Sequence, residues 1–432
     1  EVRLIAENTL DMKAGSQVRV DGGADGGDGG FLELSGRQRI ALNGEYTGRA
    51  LKDGYRGGAL LIDPEDIVIC DPADCPGGNQ PQRLGGSGSI GAGDAPGTTL
   101  YLETNMAQGG WTNVSLAANN SITLLTLLEN NDVPAGGSLT LETILGDIVL
   151  NADIGTSQTA FDHALILNAG RDILFNRVVW QGAQDLTATA ARDVVVDGNQ
   201  GGSIYSDGNV ALTGANVKVL GGESAAEISA TGNIALTGTQ SLLLQGGCGG
   251  EGCGRADVKG NNVTLAGGAV TVAGGNAPGS DDHGAYVNAN ELVQVTGTSF
   301  TVAGGTSGES DFNGYAAANA QVSGQRVLVD VTGETVVRGG IAEGSVQFAN
   351  GYAYAYVQGY DSVEINAGGG LKVLGGMSRG SGDYDTHAEV SGGTVTINGS
   401  ALLVQGGSAQ AENFGQADAS ARIVATGGAN LT

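Results

Sequence analysis

The chain has 432 residues, 78 of them glycine, and 20 Lys and Arg against 46 Asp and Glu give a net charge of −26. With only 15% charged residues this is no coiled coil or helical bundle, and cations so thinly spread make no basic face for nucleic acid. The glycines follow no triplet, which excludes collagen; a hydrophobic share of 40% exceeds that of a disordered chain; and no apolar run reaches the roughly 18 residues of a membrane span.

The chain opens directly on an alternating segment, Glu1-Val2-Arg3-Leu4, with no initiator Met, basic n-region or cleavage site. A removed signal or an internal segment of something longer is expected. Residues 1–69 hold EVRLIA, TLDMKAG, QVRVDGG, GGFLELSG and RIALNG, all alternating with period two, the mark of strands with one face in and one face out. Residues 70–99 carry most of the prolines and no apolar pattern, and predict an extended loop protruding from the strands. Residues 100–220 return to short strands (VSLAANNSITL, SLTLETILGDIVL, ALILNAGRDILF, DLTATAARDVVV) with Asn, Gly and Asp at the turns.

Residues 221–432 repeat regularly. The string apolar-x-apolar-x-Gly-Gly recurs with first glycines Gly221, Gly246, Gly274, Gly304, Gly339, Gly375 and Gly406, spaced 25, 28, 30, 35, 36 and 31 residues apart. An Ala-x-Val/Ile element recurs in the same cycle at Ala226, Ala256, Ala285, Ala320, Ala355, Ala388 and Ala421. A third element follows as NIALTG, NVTLAG, LVQVTG, LVDVTG, SVEINAG and TVTING. Three short strands per cycle with glycine at the corners describe one coil of a three-sided parallel β-helix. The alanines form one inward column and the Val/Ile residues its neighbour. Thr335 is the single polar residue in the column of Val270, Phe300 and Leu402. Glycine is expected at the corners because the chain bends there, often through positive φ. Length variation falls between Gly-Gly and Ala-x-Val, so the insertions form a loop ridge along one edge. The whole reads as one continuous solenoid of about 15 coils, roughly 70 Å long.

The four cysteines form two close pairs, Cys70/Cys75 and Cys248/Cys253. Local disulfides in an oxidising compartment are the first reading; free thiols and a metal site are the alternatives, the latter disfavoured because the pairs are far apart in sequence with no His beside them.

GGFLELSG (29–36) followed by GGALLIDPEDIVI (57–69) resembles the large exoproteins of two-partner secretion, of the filamentous haemagglutinin type. ALILNAGRDI (164–173) and LTATAARDV (186–194) resemble the haemagglutinin repeats of that family. The resemblance covers roughly residues 1–220. It implies a right-handed β-helix, secretion from a Gram-negative bacterium through an outer-membrane partner barrel, and a role as a surface adhesin, haem scavenger or toxin-carrying stick. The secretion domain that opens such proteins is not evident, and the matching motif is structural, so no catalytic residue carries over.

Candidate chemistry lies in the ridge. GSDDHGAY holds Asp281, Asp282 and His283, and GDYDTH holds Asp383, Asp385 and His387. These stretches are three coils apart, about 14 Å, too far to share a proton transfer. With Asp311 these acids are candidate calcium ligands, against the plainer reading of solvated acidic loops that keep a long particle dispersed. In GYAYAYVQG, Ala355 and Val357 belong to inward columns, so Tyr352, Tyr354 and Tyr356 point outward; Tyr286 takes the place of Tyr356 two coils earlier. Such a row can stack on sugars or a partner protein, or simply reflect strand propensity under packed insertions. Trp111 and Trp180 read as core or corner fillers, and His163, beside Asp162, as non-catalytic. The expected function is a secreted, non-enzymatic β-helix shaft that displays loops for adhesion to surface glycans or to proteins of a host or neighbouring cell, without cofactor unless calcium. The alternatives are a filament subunit stacked end to end and a polysaccharide-binding or polysaccharide-degrading protein.

Overall fold

The structure, a computed structural model, describes residues 1–85, 98–133, 136–247, 254–277, 283–308, 315–344, 350–381, 383–411 and 416–432. Among them there is no α-helix, only strands and three single turns of 3-10 helix, Pro76–Gly78, Asn130–Asp132 and Gly198–Gln200. Every strand pairing is parallel in the described registers. The chain divides into two units, Glu1–Asp193 with Ser206–Gly208, and Val194–Tyr205 with Asn209–Thr432. Each is a parallel β-helix.

In the second unit, the vertical register follows the repeat. Ala226, Ala256, Ala285, Ala320, Ala355, Ala388 and Ala421 are partners one above the next, and so are Ile228, Val258, Val287, Val322, Val357, Val390 and Ile423. Single strand segments such as Ala256–Ala273 run through two corners, with register slips where the chain bends. The second face stacks Leu236, Leu265, Val295, Val329, Ile365 and Ile397. The third stacks Val270, Phe300, Thr335, Leu371 and Leu402. Thr335 is fully buried there with its hydroxyl unpartnered. Alternation at period two turns these residues inward, and stacking at about 4.8 Å buries them against their copies except in the last coil, where Leu402 is 41% exposed.

The insertions, where described, are not bare loops. After the Gly-Gly pairs that begin at Gly274, Gly304, Gly339, Gly375 and Gly406 the chain runs out as Asn276–Ala277, Thr306–Ser307, Ile341–Gly344, Met377–Gly380 and Ser408–Ala411, and these five form a sheet of their own. The chain returns through Tyr315–Ala317, Asn350–Tyr352 and the starts of Asp383–Gly399 and Gln416–Leu431, also stacked in parallel. The result is a two-layered fin. Its interior is built of small residues, Ser307, Ala342 and Ser378 on the outgoing side and Ala316, Ala318, Ala353 and Thr386 on the returning side, all buried. The one large residue in it among the described residues is Tyr384, packed with Ala342 and Ala353. It fits because Gly351 and Gly380 leave room: a Cβ on either would strike its ring.

The Gly-Gly corners are explained by this fin and correct the sequence reading. None of these glycines has positive φ. Instead the outgoing and returning chains meet at a narrow neck. Gly275, Gly305, Gly340 and Gly407 donate their N–H to the carbonyls of His283, Ala318, Ala353 and Ala419 on the returning strand, at 2.6, 2.6, 2.8 and 2.8 Å. A Cβ on Gly305, Gly340 or Gly376 would collide with the carbonyl of the equivalent glycine one coil below. Close backbone approach, not backbone handedness, demands glycine here.

The first unit stacks Val2, Leu32, Leu60, Val114, Leu139, Leu165 and Leu186 in one inward column. Its turns are tied by side chains. Arg171 pairs with Asp147 and Arg192 with Asp172, each one coil apart, while the N–H of Asp172 and of Asp193 donates to the preceding Asp carboxylate at 3.1 Å. The acids of the Leu-Ile-Asp-Pro-Glu-Asp stretch do the same: Glu65 accepts from Asn119 and Asn120, and Asp66 from Ser121. That motif therefore fixes a corner. Cys70 and Cys75 form a disulfide.

The described parts of 70–99 are anchored at a few buried residues, while 72–74 and 76–78 are exposed. Thr99–Leu102 pairs with Asp66–Ile69, and Cys70, Gln82 and Leu84 are buried. Gln82 lies beside Tyr101 and Glu103 through its backbone, and its side chain acts as an extra peptide: it accepts from Leu42 N (2.7 Å) and donates to Ile40 O (3.3 Å). Residues 86–97 lie outside the described residues, as do Cys248 and Cys253.

Candidate functional site

The returning strands of the fin carry an ordered outer face. Because Ala355 and Val357 point inward, Tyr352, Tyr354 and Tyr356 point out, each half-buried. Register places Asp385, His387 and Glu389 on the next coil directly beside them, and Asp418, Ser420 and Arg422 on the coil after that. The preceding coil presents Ala317 and Gln321 at the same positions, and the side-chain Oδ1 of Asn319 accepts from Tyr354 N at 2.9 Å.

The rings form a row. Tyr352 to Tyr354 and Tyr354 to Tyr356 measure 5.4 and 5.5 Å between centroids, the first pair tilted and the second edge-on, and Tyr354 stacks on His387 at 4.8 Å with the planes 12° apart. His387 Nδ1 lies 2.6 Å from Ser420 Oγ and 3.9 Å from the Asp418 carboxylate. Arg422 pairs with Glu389. Burial pushes the Asp385 carboxyl above the usual carboxylate range; His387 opposes the shift, and Asp418 and Asp383 add to it. Four carboxylates thus face one guanidinium on this surface. His387 lies within hydrogen-bond reach of the Ser420 hydroxyl, but the Asp418 carboxylate sits 3.9 Å from the same Nδ1 and does not orient the ring from its far side, so the contact lacks the third member of a nucleophile–base relay. The face offers aromatic surface and negative charge.

The structure brings Tyr352, Tyr354, Tyr356, Asp383 and Asp385 together. It keeps Tyr286 apart: the Gln321 coil intervenes, and Arg255 covers its ring at 5.8 Å. Asp281, Asp282 and Asp311 lie outside the described residues. Among the described residues no three His, Cys, Asp or Glu side chains converge on a metal-sized position. His283 is wholly buried at the fin neck with neither ring nitrogen hydrogen-bonded. His163 is a core residue of the first unit, with Nε2 2.9 Å from Asn130 O and its ring edge-on to Phe161. Trp111 is fully buried against Tyr46. Trp180, by contrast, sits half-buried at an outward position between buried Val179 and Gln181, so it fills no core.

A groove in the first unit was not anticipated. It encloses ≈ 670 Å³ along the turns of successive coils, lined by Glu7, Arg37, Asp63, Glu65, Asn119 and Ile144 among others. Burial raises the Asp63 carboxyl, and Glu33 and Glu142 reinforce this. The outward position of Asp63 after inward Ile62 is legible in the sequence; the acids beside it come from coils far along the chain.

No protein-family model matches the chain, and no curated protein or solved structure matches it either.

Proposed function

We propose that this chain is a segment of a secreted bacterial surface protein that works by contact, its coils forming a stiff support and its fin presenting the contact face. The observation that carries this reading is the tyrosine row on the outer side of the fin, continued by Asp385 and His387 on the next coil. Half-buried aromatic rings held on a stacked sheet lose little freedom on binding. Repetition of weak contacts supplies avidity. The likeness of residues 29–69 to two-partner secretion exoproteins supports a Gram-negative origin and export through an outer-membrane partner. The disulfide supports an oxidising compartment. The partners in this reading are surface glycans, or proteins of a host or neighbouring cell.

The test is adhesion of beads coated with wild-type protein or with a Tyr352→Ala, Tyr354→Ala, Tyr356→Ala variant to glycan-bearing cells. The reading expects at least a tenfold loss with an unchanged β-sheet circular dichroism spectrum; undiminished adhesion overturns it. One observation favours a second reading, a polysaccharide-active groove: the half-buried Asp63 among acids in the first unit. Turnover of a polysaccharide that is abolished by Asp63→Asn would establish it.

A further inference from the structure

The outer face of the fin joins two recognition elements that few ligands satisfy together. The backbone groups of Asn350–Tyr352 and Ala355–Ala367 are taken up by pairing with the coils on either side, so strand addition is closed at the tyrosine row and side chains must do the reading there. Tyr352, Tyr354 and Tyr356 offer aromatic surface to a flat, C–H-rich ring face. Asp383, Asp385 and Glu389 flank them on the next coil and Asp418 follows on the coil after, with Arg422 committed to Glu389. Asp385 is partly desolvated next to Asp383 and Asp418 and gains most from an incoming positive charge. An acidic glycan meets these carboxylates and a chain of net charge −26, and is repelled. A neutral glycan leaves the carboxylates unanswered.

We propose that this face binds a linear amino-sugar polymer in its protonated form, with sugar rings on Tyr352, Tyr354 and Tyr356 and ammonium groups against Asp383, Asp385 and Asp418. The inference rests on the adhesive reading and names its ligand class. Ammonium groups beside tyrosine rings add cation–π attraction to the charge pairing. A cationic peptide answers the carboxylates but brings no sugar-like face to the ring row.

The experiment titrates the full chain with glucosamine hexamer, N-acetylglucosamine hexamer and hexalysine, at a pH where glucosamine is protonated and carboxylates are ionised. The glucosamine hexamer should bind at least tenfold tighter than either other probe. Asp385→Asn with Asp418→Asn should weaken it at least tenfold, Tyr354→Ala should weaken it severalfold, and Tyr354→Phe, which keeps the ring, should bind as wild type. Equal binding of both sugar hexamers overturns the inference while leaving the adhesive reading intact. Preference for hexalysine, or no binding of the glucosamine hexamer, also overturns it. Loss of cell adhesion in the triple tyrosine variant without glucosamine binding would separate failure of the inference from failure of the reading beneath it.

Discussion

The two units keep their coils in register by different means. In the second, like residues stack on like: seven alanines, a Val/Ile column beside them, and glycines that meet backbone to backbone at each neck. In the first, corners are tied by reciprocal polar side chains, Arg171 on Asp147 and Arg192 on Asp172, with Glu65 holding Asn119 and Asn120. Steric columns tolerate no added atoms, and outward polar pairs one coil apart, such as Ser241 on Asn216, Ser323 on Asn288 and Asn398 on Asn366, add to them. In the first unit the polar pairs carry the corners themselves. The unit with the glycine necks is the one that grows a fin.

Four substitutions and one near-neutral control sharpen that contrast, from the largest effect to the smallest. Tyr384→Ala should cost about 3–5 kcal/mol, because the ring fills the fin interior between Gly351 and Gly380 and leaves a cavity. Hydrogen exchange should show the loss concentrated in residues 377–388; a uniform loss would mean the fin has no core of its own. Gly340→Ala should cost about 3 kcal/mol, since its methyl meets the Gly305 carbonyl, whereas Gly428→Ala, with open space around it, should be near neutral. Equal melting temperatures for these two variants would refute the steric neck. Thr335→Val should stabilise by about 1 kcal/mol by removing a buried, unpartnered hydroxyl from between Phe300 and Leu371, read by urea titration.

The smallest effect belongs to the polar ladder. The hydrogen bond from Arg171 holds the Asp147 carboxyl below its usual range. A depressed carboxylate contributes stability above its unfolded value and loses it as pH falls through the folded one. The melting temperatures of wild type and Asp147→Asn should therefore differ at neutral pH and converge in acid, with the gap narrowed by salt. A gap that persists in acid would assign the difference to something other than the ion pair.

The inner columns were legible because period-two alternation and Gly-Gly spacing mark the same cycle. From Ala226 onward the register could be written down unaided. The outgoing fin strands were not legible: TS, IAEG, MSRG and SAQA are small and polar, and they are strands only because the coil below offers a matching edge. The neck glycines were marked as corners but given the wrong cause, since a close approach between distant segments leaves no local trace. Gln82 was hidden for the same reason. The contact of Tyr354 with His387 was within reach, as each residue directly precedes a column alanine, Ala355 or Ala388. It becomes visible when outward positions are compared between coils as the inward ones are.

The most direct test of the whole account is a methyl NOE experiment on protein labelled only at alanine methyls. In-register stacking places the methyls of Ala256, Ala285, Ala320, Ala355 and Ala388 about 4.8 Å apart in sequence. The account predicts an unbroken chain of cross-peaks between successive members and none between next-nearest ones. Cross-peaks that are absent, or that link these alanines in another order, would contradict it.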